Sequence, residues 1–414
     1  MRQALGPWLG PAGVTALEAL SLLVGFLMQP YLMRVLGPAA FGSYVLTVSI
    51  ATLAATLTDF GFNFAGVQRA IELSGDDVRG HRHFWCVSLC KAAVGAAALL
   101  VIVPLCVALN SPLALGIALA SSAAVVAAVL FPTWWLLATD RLLLMAGALL
   151  VARTVGLGLV LWGVHGPEDT LWAATLTVGA PMLAAGLCLV IDSELRGRLR
   201  WQSATLAEWL TVLRLGASTA WVASLPSLSA ALVHGLVGSL GSTATLGQYA
   251  AADKIRAAIQ GLFTAFGHAS FPGSVKRLRG PDAGAAWPLL KAQVLISATA
   301  ALPLFVFADE VVLWVSGPHF DEAGSALRLL ALALVSSTFV AALGVQVLLP
   351  LKLVLRHATA MLGGLAVHAL ALALLVPRWG APGAAAALLV ADACAALLML
   401  RVLRAQPRLS KGRI

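Results

Sequence analysis

The chain has 414 residues, of which 60% are hydrophobic and only 11% charged, with a mean hydropathy of +0.93 and a net charge of +9. Soluble domains carry about 25% charged residues, so a large aqueous surface is excluded. The positive balance would suggest nucleic acid in a soluble protein; here the placement of the charges matters more, and no nucleic-acid partner is expected.

Apolar runs of about 20 residues recur from end to end, each long enough to cross about 30 Å of hydrocarbon as a helix. Only helices or closed barrels satisfy their backbone groups in lipid, and barrel strands need about ten alternating residues. The runs here are too long and too continuous for that, so the expected class is an all-α polytopic membrane protein. Spans 1 and 2 are read at 13–33 and 41–64, followed by the polar segment RAIELSGDDVRGHRH (69–83). Arg2 precedes an apolar run with no suitable A-x-A site, which reads as an uncleaved first span. Spans 3 and 4, at 84–109 and 113–137, are separated by Asn110-Ser111-Pro112; polar residues are read as sparse in span 3 and in spans 9–12. Spans 5 and 6 lie at 142–163 and 171–191, and the basic, partly amphipathic DSELRGRLRWQSATLAEW (192–209) follows.

The second half repeats the layout, with spans 7 to 12 at 210–238, 246–271, 287–315, 323–349, 353–376 and 382–403, and a basic tail. The expectation is twelve spans in two six-helix lobes, 1–205 and 206–414, related by internal pseudo-symmetry. Two motifs support the duplication. RVLGPAAFGSY (34–44) contains L-G-x3-F-G-x-Y, and LGSTATLGQY (240–249) is L-G-x4-L-G-x-Y; Leu36 and Leu240 stand 204 positions apart. Even-numbered connections and both termini carry nearly all loop Lys and Arg, among them Arg69, Arg79, Arg141, Arg196, Lys276 and Arg404. Cytoplasmic loops hold the excess of Lys and Arg, so both termini are expected in the cytoplasm.

The candidate site residues are the ionisable groups inside spans, which are costly there and default to functional roles facing a cavity. They are Glu18, Asp59, Arg153, Arg214, Asp253, Lys254, Arg256 and Arg328, with Arg34 at the outer end of span 1. The tightest group is Ala251–Arg256, in which Asp253 can pair with Arg256 or Lys254 and leave surplus positive charge. A cationic cavity attracts a phosphate or carboxylate, Arg through bidentate geometry and Lys as a point charge. Arg34, Lys254, Arg256, Arg153 and Arg214 are therefore candidates for substrate binding, and Glu18, Asp59 and Asp253 for ion coupling or charge pairing. Simpler readings stand beside these: Arg214 and Arg328 near span ends can snorkel, and Asp59 can cap a helix end. Trp134-Trp135 reads as interfacial belt, and His234, His268 and His368 as polar contacts between helices. Cys86, Cys90, Cys106, Cys188 and Cys394 form no C-x-x-C pair and read as small buried hydrophobes. With no Gly-rich phosphate loop, H-E-x-x-H or G-x-S-x-G, no cofactor, metal or enzymatic activity is expected.

PYLMRVLGPAAFGSYVL (30–46), TDFGFNFAGVQRA (58–70), LGSTATLGQYAAADKIR (240–256), ASFP (269–272) and VSGPHFDEAGSALRLLALA (315–333) resemble the bacterial polysaccharide (O-antigen, Wzx-type) flippase family of the MOP superfamily. The resemblance implies two lobes around a central cavity that opens alternately to each side of the bacterial inner membrane. It also implies a polyprenyl-diphosphate-linked oligosaccharide moved from the cytoplasmic to the periplasmic leaflet for lipopolysaccharide or other surface polysaccharide. Implied partners are that lipid, membrane lipids, a proton or sodium ion, and a polysaccharide polymerase. Arg34, Asp59, Asp253, Lys254 and Arg256 fall within matched stretches; Arg153 and Arg214 rest on the intramembrane-charge argument. The alternatives are a cation-coupled small-molecule exporter of the same superfamily and a flippase for the peptidoglycan lipid precursor.

Overall fold

The computed structural model describes residues 9–73, 76–108, 113–199, 202–203, 205–279 and 287–405. Arg2, the Asn110-Ser111-Pro112 turn, Arg200 and the tail cations Arg408, Lys411 and Arg413 lie outside the described residues, as does the loop 280–286. Among the described residues the chain is helical, with no strand. The helices are α1 (Leu9–Asp59), α2 (Phe62–Glu72), α3 (Asp77–Ala108), α4 (Ala114–Leu130), α5 (Thr133–Ala138), α6 (Leu142–Gly163) and α7 (Thr170–Ile191). After them come α8 (Ser193–Arg198), α9 (Leu206–Leu240), α10 (Thr243–Arg279), α11 (Trp287–Val306), α12 (Ala308–Ser316), α13 (Asp321–Ala342) and α14 (Val354–Arg404). A π-helical segment, Leu343–Leu348, continues α13.

Nine of the described helical stretches are long and apolar enough to cross a membrane. α1 and α14 have 51 residues each. At 1.5 Å per residue a straight helix of that length would reach about 76 Å, over twice the hydrocarbon thickness, so each must bend. α1 turns at Gly37 (φ +69°) and α14 at Gly380 (φ +56°), a backbone region that costs glycine little. Pro38 follows the first glycine and Pro377 and Pro382 flank the second, each lacking the N–H that a continuous helix would need. α10 has 37 residues, but Asp253, Lys254 and Arg256 lower its apolar character.

The chain divides into two compact units, Met1–Leu36 with Ser43–Ala231 and Gly37–Gly42 with Leu232–Ile414. The second unit thus takes in the first Gly-rich turn, and the reason is reciprocal backbone contact between the two repeated motifs. A Cβ on Gly42 would overlap the Thr243 carbonyl oxygen, and a Cβ on Gly247 would overlap the Pro38 carbonyl oxygen. Each motif's second glycine therefore admits the backbone of the other motif's turn. Phe41 closes the contact edge-on to Phe320, with ring centroids 6.2 Å apart. In this unit α13 packs on α10, α11 and α14.

In the first unit α7 packs against α4 and α6, and α3 against α4. Asp59 does not cap a helix: it is the last residue of α1, and α2 starts at Phe62 with Gly61 as its N-cap and no side-chain cap. An acid at a helix C-terminus opposes the helix dipole, and Lys91 of α3 compensates, with Nζ 2.8 Å from Asp59 Oδ1 and its side chain only 1% exposed. Lys91 is one of the sparse polar residues of span 3. Trp134 and Trp135 are not belt residues either. Both are buried with Phe62, Phe84 and Met145, and Trp134 meets His83 edge-on at 5.3 Å. Among the described residues the exposed indoles are instead Trp162, Trp172, Trp221, Trp314 and Trp379. Cys86, Cys90, Cys106 and Cys188 are buried and Cys394 half-buried, all as free thiols.

The polar connections 69–83, 139–141 and 192–209 meet at one end of this unit. Arg141 pairs with Asp192 and Glu194, while Asp192 Oδ1 caps α8 by accepting from the N–H groups of Glu194 and Leu195. Arg198 Nη1 lies 2.8 Å from His81 Nδ1, and His81 Nε2 lies 3.2 Å from the Gly197 carbonyl. Because arginine only donates, Nδ1 accepts, and Nε2 carries the proton given to Gly197. Thr205 and Glu208 form a reciprocal cap at the start of α9. The Thr205 N–H holds the Glu208 carboxyl below the usual carboxylate range.

Two outcomes follow from this packing. Gly247→Ala should lower stability by about 1–3 kcal/mol, the range for overpacking against an immobile neighbour. Gly261→Ala, on the same helix with open space around it, should be neutral or stabilising; equal thermal shifts for the two would remove the close-contact account. Asp59→Ala should cost about 3 kcal/mol by stranding a buried ammonium. Asp59→Ala/Lys91→Met should recover most of that, measured as thermal stability in detergent.

Candidate functional site

Each unit contains a buried polar site, and a motif tyrosine stands beside each. In the first unit, Tyr44 ends the L-G-x3-F-G-x-Y motif. Its hydroxyl lies 3.2 Å from Thr177 Oγ1 and 3.5 Å from Gln29 Nε2. Thr177 commits its own proton to the Ala173 carbonyl at 2.7 Å. The donors therefore run in one direction, Gln29 amide to Tyr44 hydroxyl to Thr177 to Ala173 carbonyl. Gln29 Oε1 is left buried with no hydrogen-bond partner.

Gln29 and Thr177 line a cavity of ≈ 290 Å³ together with Arg153 of α6 and apolar residues such as Met28 and Leu176. Arg153 is half-buried and makes no ion pair or hydrogen bond among the described residues. A guanidinium held there without a counter-charge has five N–H donors to offer an incoming oxyanion. The cavity is at the small end of ligand pockets, large enough for a phosphate-sized group but not for an oligosaccharide.

In the second unit Tyr249, last residue of the other motif, is buried on α10. One turn further on, Arg256 grips Asp253 through Nη2 at 2.7 Å and Nε at 2.8 Å, with side chains 13% and 22% exposed. Spacing of i, i+3 puts the two on one helix face. Arg256 is also attracted to Asp392 of α14, a buried acid whose Oδ2 accepts from Ser336 at 2.7 Å and Ser337 at 2.6 Å on α13. Lys254, His234 and His368 lie within electrostatic range of Asp253. His234 and His368 are therefore members of one polar cluster rather than isolated contacts; the His268 side chain lies outside the described residues.

The cluster changes the charge count expected for this helix. Two cations, Lys254 and Arg256, stand near two acids, Asp253 and Asp392, the second of which a count along α10 alone leaves out. Asp392 is one of the sparse polar residues of span 12.

Of the remaining candidates, Arg34, Glu18 and Arg214 are exposed. Arg328 does not simply snorkel, since it pairs with Asp309. Gln29, Thr177, Lys91, Asp392, Ser336 and Ser337 were not legible as site residues; the motif tyrosines were the available signal, since each stands next to one site.

A model of the polysaccharide biosynthesis protein family matches residues 13–276, well over half of the chain. No curated protein matches. Among solved structures, the lipid II flippase MurJ in an inward closed conformation is similar at a TM-score of 0.71 and 12% identity, over 95% of this chain and 88% of that one. An inward-facing multidrug resistance MATE family transporter of the MOP superfamily is similar at a TM-score of 0.59 and 15% identity, over 96% of each chain. At these identities the likeness is one of fold. With its fold like theirs and the family match running across α1 to α10, the chain belongs to the polysaccharide biosynthesis protein family.

Proposed function

We propose that this protein is a flippase for polyprenyl-diphosphate-linked oligosaccharide, carrying it from the cytoplasmic to the periplasmic leaflet of the bacterial inner membrane for O-antigen or related surface polysaccharide. It would do so with twelve spans in two pseudo-symmetric lobes, 1–205 and 206–414, both termini cytoplasmic, by alternating access and in step with a polysaccharide polymerase. Family membership and the transporter-like fold support this reading. The observation that carries it is Arg153, a cation with no counter-charge among the described residues, lining a cavity beside an unpartnered amide oxygen of Gln29.

That chemistry suits a diphosphate with a sugar attached. Arg153 donates to the phosphate oxygens, and Gln29 Oε1 accepts from a hydroxyl. The volume of ≈ 290 Å³ admits the charged junction between lipid and sugar, while the rest of the oligosaccharide must lie elsewhere. A diphosphate carries roughly two negative charges, and each is worth about 2.3 kcal/mol per 100 mV of membrane potential. With the inside negative, export is downhill, so the potential drives the loaded step without a coupling ion. Proton or sodium coupling through Glu18 or Asp59 is the rival, and Asp59 is already committed to Lys91.

Lys254 and Arg256 take a different part in this reading. Acids stand near both within the cluster, so the two cations shape the second unit and contribute less to anion capture than Arg153. A small-molecule exporter or a peptidoglycan-precursor flippase would share the fold, and cargo assays separate these from the favoured reading.

In a strain lacking its own polysaccharide flippase, the wild-type chain should restore surface polysaccharide. Arg153→Ala should lower it at least tenfold at unchanged membrane level, and Arg153→Lys should keep part of it. Full activity of Arg153→Ala would remove the anion-cavity reading, and failure of the wild type would redirect the search to other cargo. Arg256→Ala should instead reduce the amount of folded protein, by about 3 kcal/mol of stability, and Asp253→Ala/Arg256→Ala should restore most of it.

A further inference from the structure

A second cavity of the first unit, ≈ 220 Å³ in volume, shares no wall with Arg153 and lies where α2 ends and α3 and α9 begin. On α3 its wall runs from Arg79 to Cys86 and on α9 from Ala207 to Leu215, about 10 and 12 Å of helix at 1.5 Å per residue. Charge is confined to one end. Arg79 and Glu208 stand in the first turns of α3 and α9, and Arg69 lies one turn before Leu73 on α2. The other end is formed by Cys86, Val212 and Leu215. The cavity is thus amphipathic along its length.

We infer that it binds phosphatidylglycerol, with the phosphodiester at the charged end and an acyl chain along the apolar end, independently of the transported cargo. The two arginines are the donors. Arg69 gives Nη1 to Glu72 at 2.7 Å, and Arg79 gives Nε to Asp76 at 3.2 Å. Neither side chain has a further partner among the described residues, so Arg69 keeps Nε and Nη2, and Arg79 both terminal nitrogens. The two acids lie outside the cavity wall, and exposed i, i+3 pairs of this kind are weak; charge-assisted bonds to a phosphate are stronger. Glu208 is the one acid in the described wall, and it is already occupied. Its Oε2 accepts from the Thr205 N–H at 2.8 Å and the Thr205 hydroxyl at 3.0 Å, and Oε1 faces Arg82 Nη1 at 3.9 Å. An ethanolamine ammonium therefore finds no waiting carboxylate here. His83 Nε2 gives its proton to the Gly66 carbonyl at 3.2 Å, which leaves Nδ1 of the neutral ring as an acceptor for a headgroup hydroxyl. Donors for a phosphate beside an acceptor for a hydroxyl match a glycerol phosphodiester.

The source is a lipid because of what flanks the cavity. Leu206, Leu210 and Leu215 of α9 are exposed, as are Ile71 and Val78 beside the arginines. On a membrane-spanning bundle such residues belong among acyl chains, and a basic pocket between helices at that level draws anionic headgroups. A soluble phosphate ester would leave the apolar end unfilled.

The test uses the purified full chain in detergent, titrated with short-chain phosphatidylglycerol, phosphatidylethanolamine or phosphatidylcholine, with glycerol phosphate, or with polyprenyl diphosphate. Thermal unfolding and native mass spectrometry are the readouts, and neither depends on transport. Phosphatidylglycerol should raise the unfolding temperature most and be retained as one molecule that polyprenyl diphosphate does not displace. Arg69→Gln and Arg79→Gln should each weaken the apparent affinity about tenfold, one charge-assisted hydrogen bond's worth. Ala207→Phe fills the exposed mouth, leaves every charge in place and should abolish the retained molecule; it keeps the test informative should the arginine variants fold poorly. Equal retention of the three lipids, or unchanged retention in Ala207→Phe, would overturn the site. Equal stabilisation by glycerol phosphate would overturn a lipid as its source, and displacement by polyprenyl diphosphate would overturn its independence from the cargo.

Discussion

Hydrocarbon offers no partner to a charge, so every ionised side chain in a membrane-crossing helix must find one inside the protein or face water. That constraint explains much of the arrangement here. Lys91 is pinned to Asp59, Arg256 to Asp253, and Asp392 sits under two serine hydroxyls. The first ties α3 to α1 and the last α14 to α13, helices whose apolar surfaces alone would not fix their register, because lipid-facing and helix-facing leucines are energetically alike in a bilayer. Arg153 departs from the pattern, and its position on a cavity wall is what turns an expensive residue into a candidate receptor.

Much of the fold was legible in the chain because it rests on local properties. Runs of apolar residues mark the helices, and glycine followed by proline marks the break at Gly37. The even-numbered connections were expected on one side, and three of them do meet in the Arg141, Asp192 and Arg198 contacts at one end of the first unit. What was not legible depends on where a helix face points. Trp134 and Trp135 have the composition of a membrane belt, but α5 turns them inward against His83 and Phe84. Lys91 and Asp392 disappear into strongly apolar surroundings when hydropathy is averaged, and only their partners on α1 and α13 reveal a role. A count of charges along α10 alone also leaves out Asp392, an acid well over a hundred residues later on α14 that lies near Arg256.

The two motif tyrosines join these levels. Tyr44 and Tyr249 occupy equivalent places in related sequence motifs, and each is buried next to its own unit's polar site. The surroundings have diverged. Tyr44 orders a chain of neutral donors beside a lone cation, whereas Tyr249 adjoins a cluster of acids and bases. A repeated scaffold position thus supports one site suited to binding an anion and another suited to holding helices together.

The reciprocal seating of Gly42 and Gly247 also sets a timetable for synthesis. The turn at 37–42 leaves the ribosome about 200 residues before Thr243 and Gly247, the backbone it packs against. At 5–20 residues per second that is a delay of about 10–40 s. Through that interval the early turn is held in the membrane without its counterpart, and the second unit cannot close. Its exposed backbone must be covered meanwhile by lipid headgroups, water or the insertion machinery. The first segment of the second unit to be made therefore waits until more than half of the chain exists before its backbone partner is available.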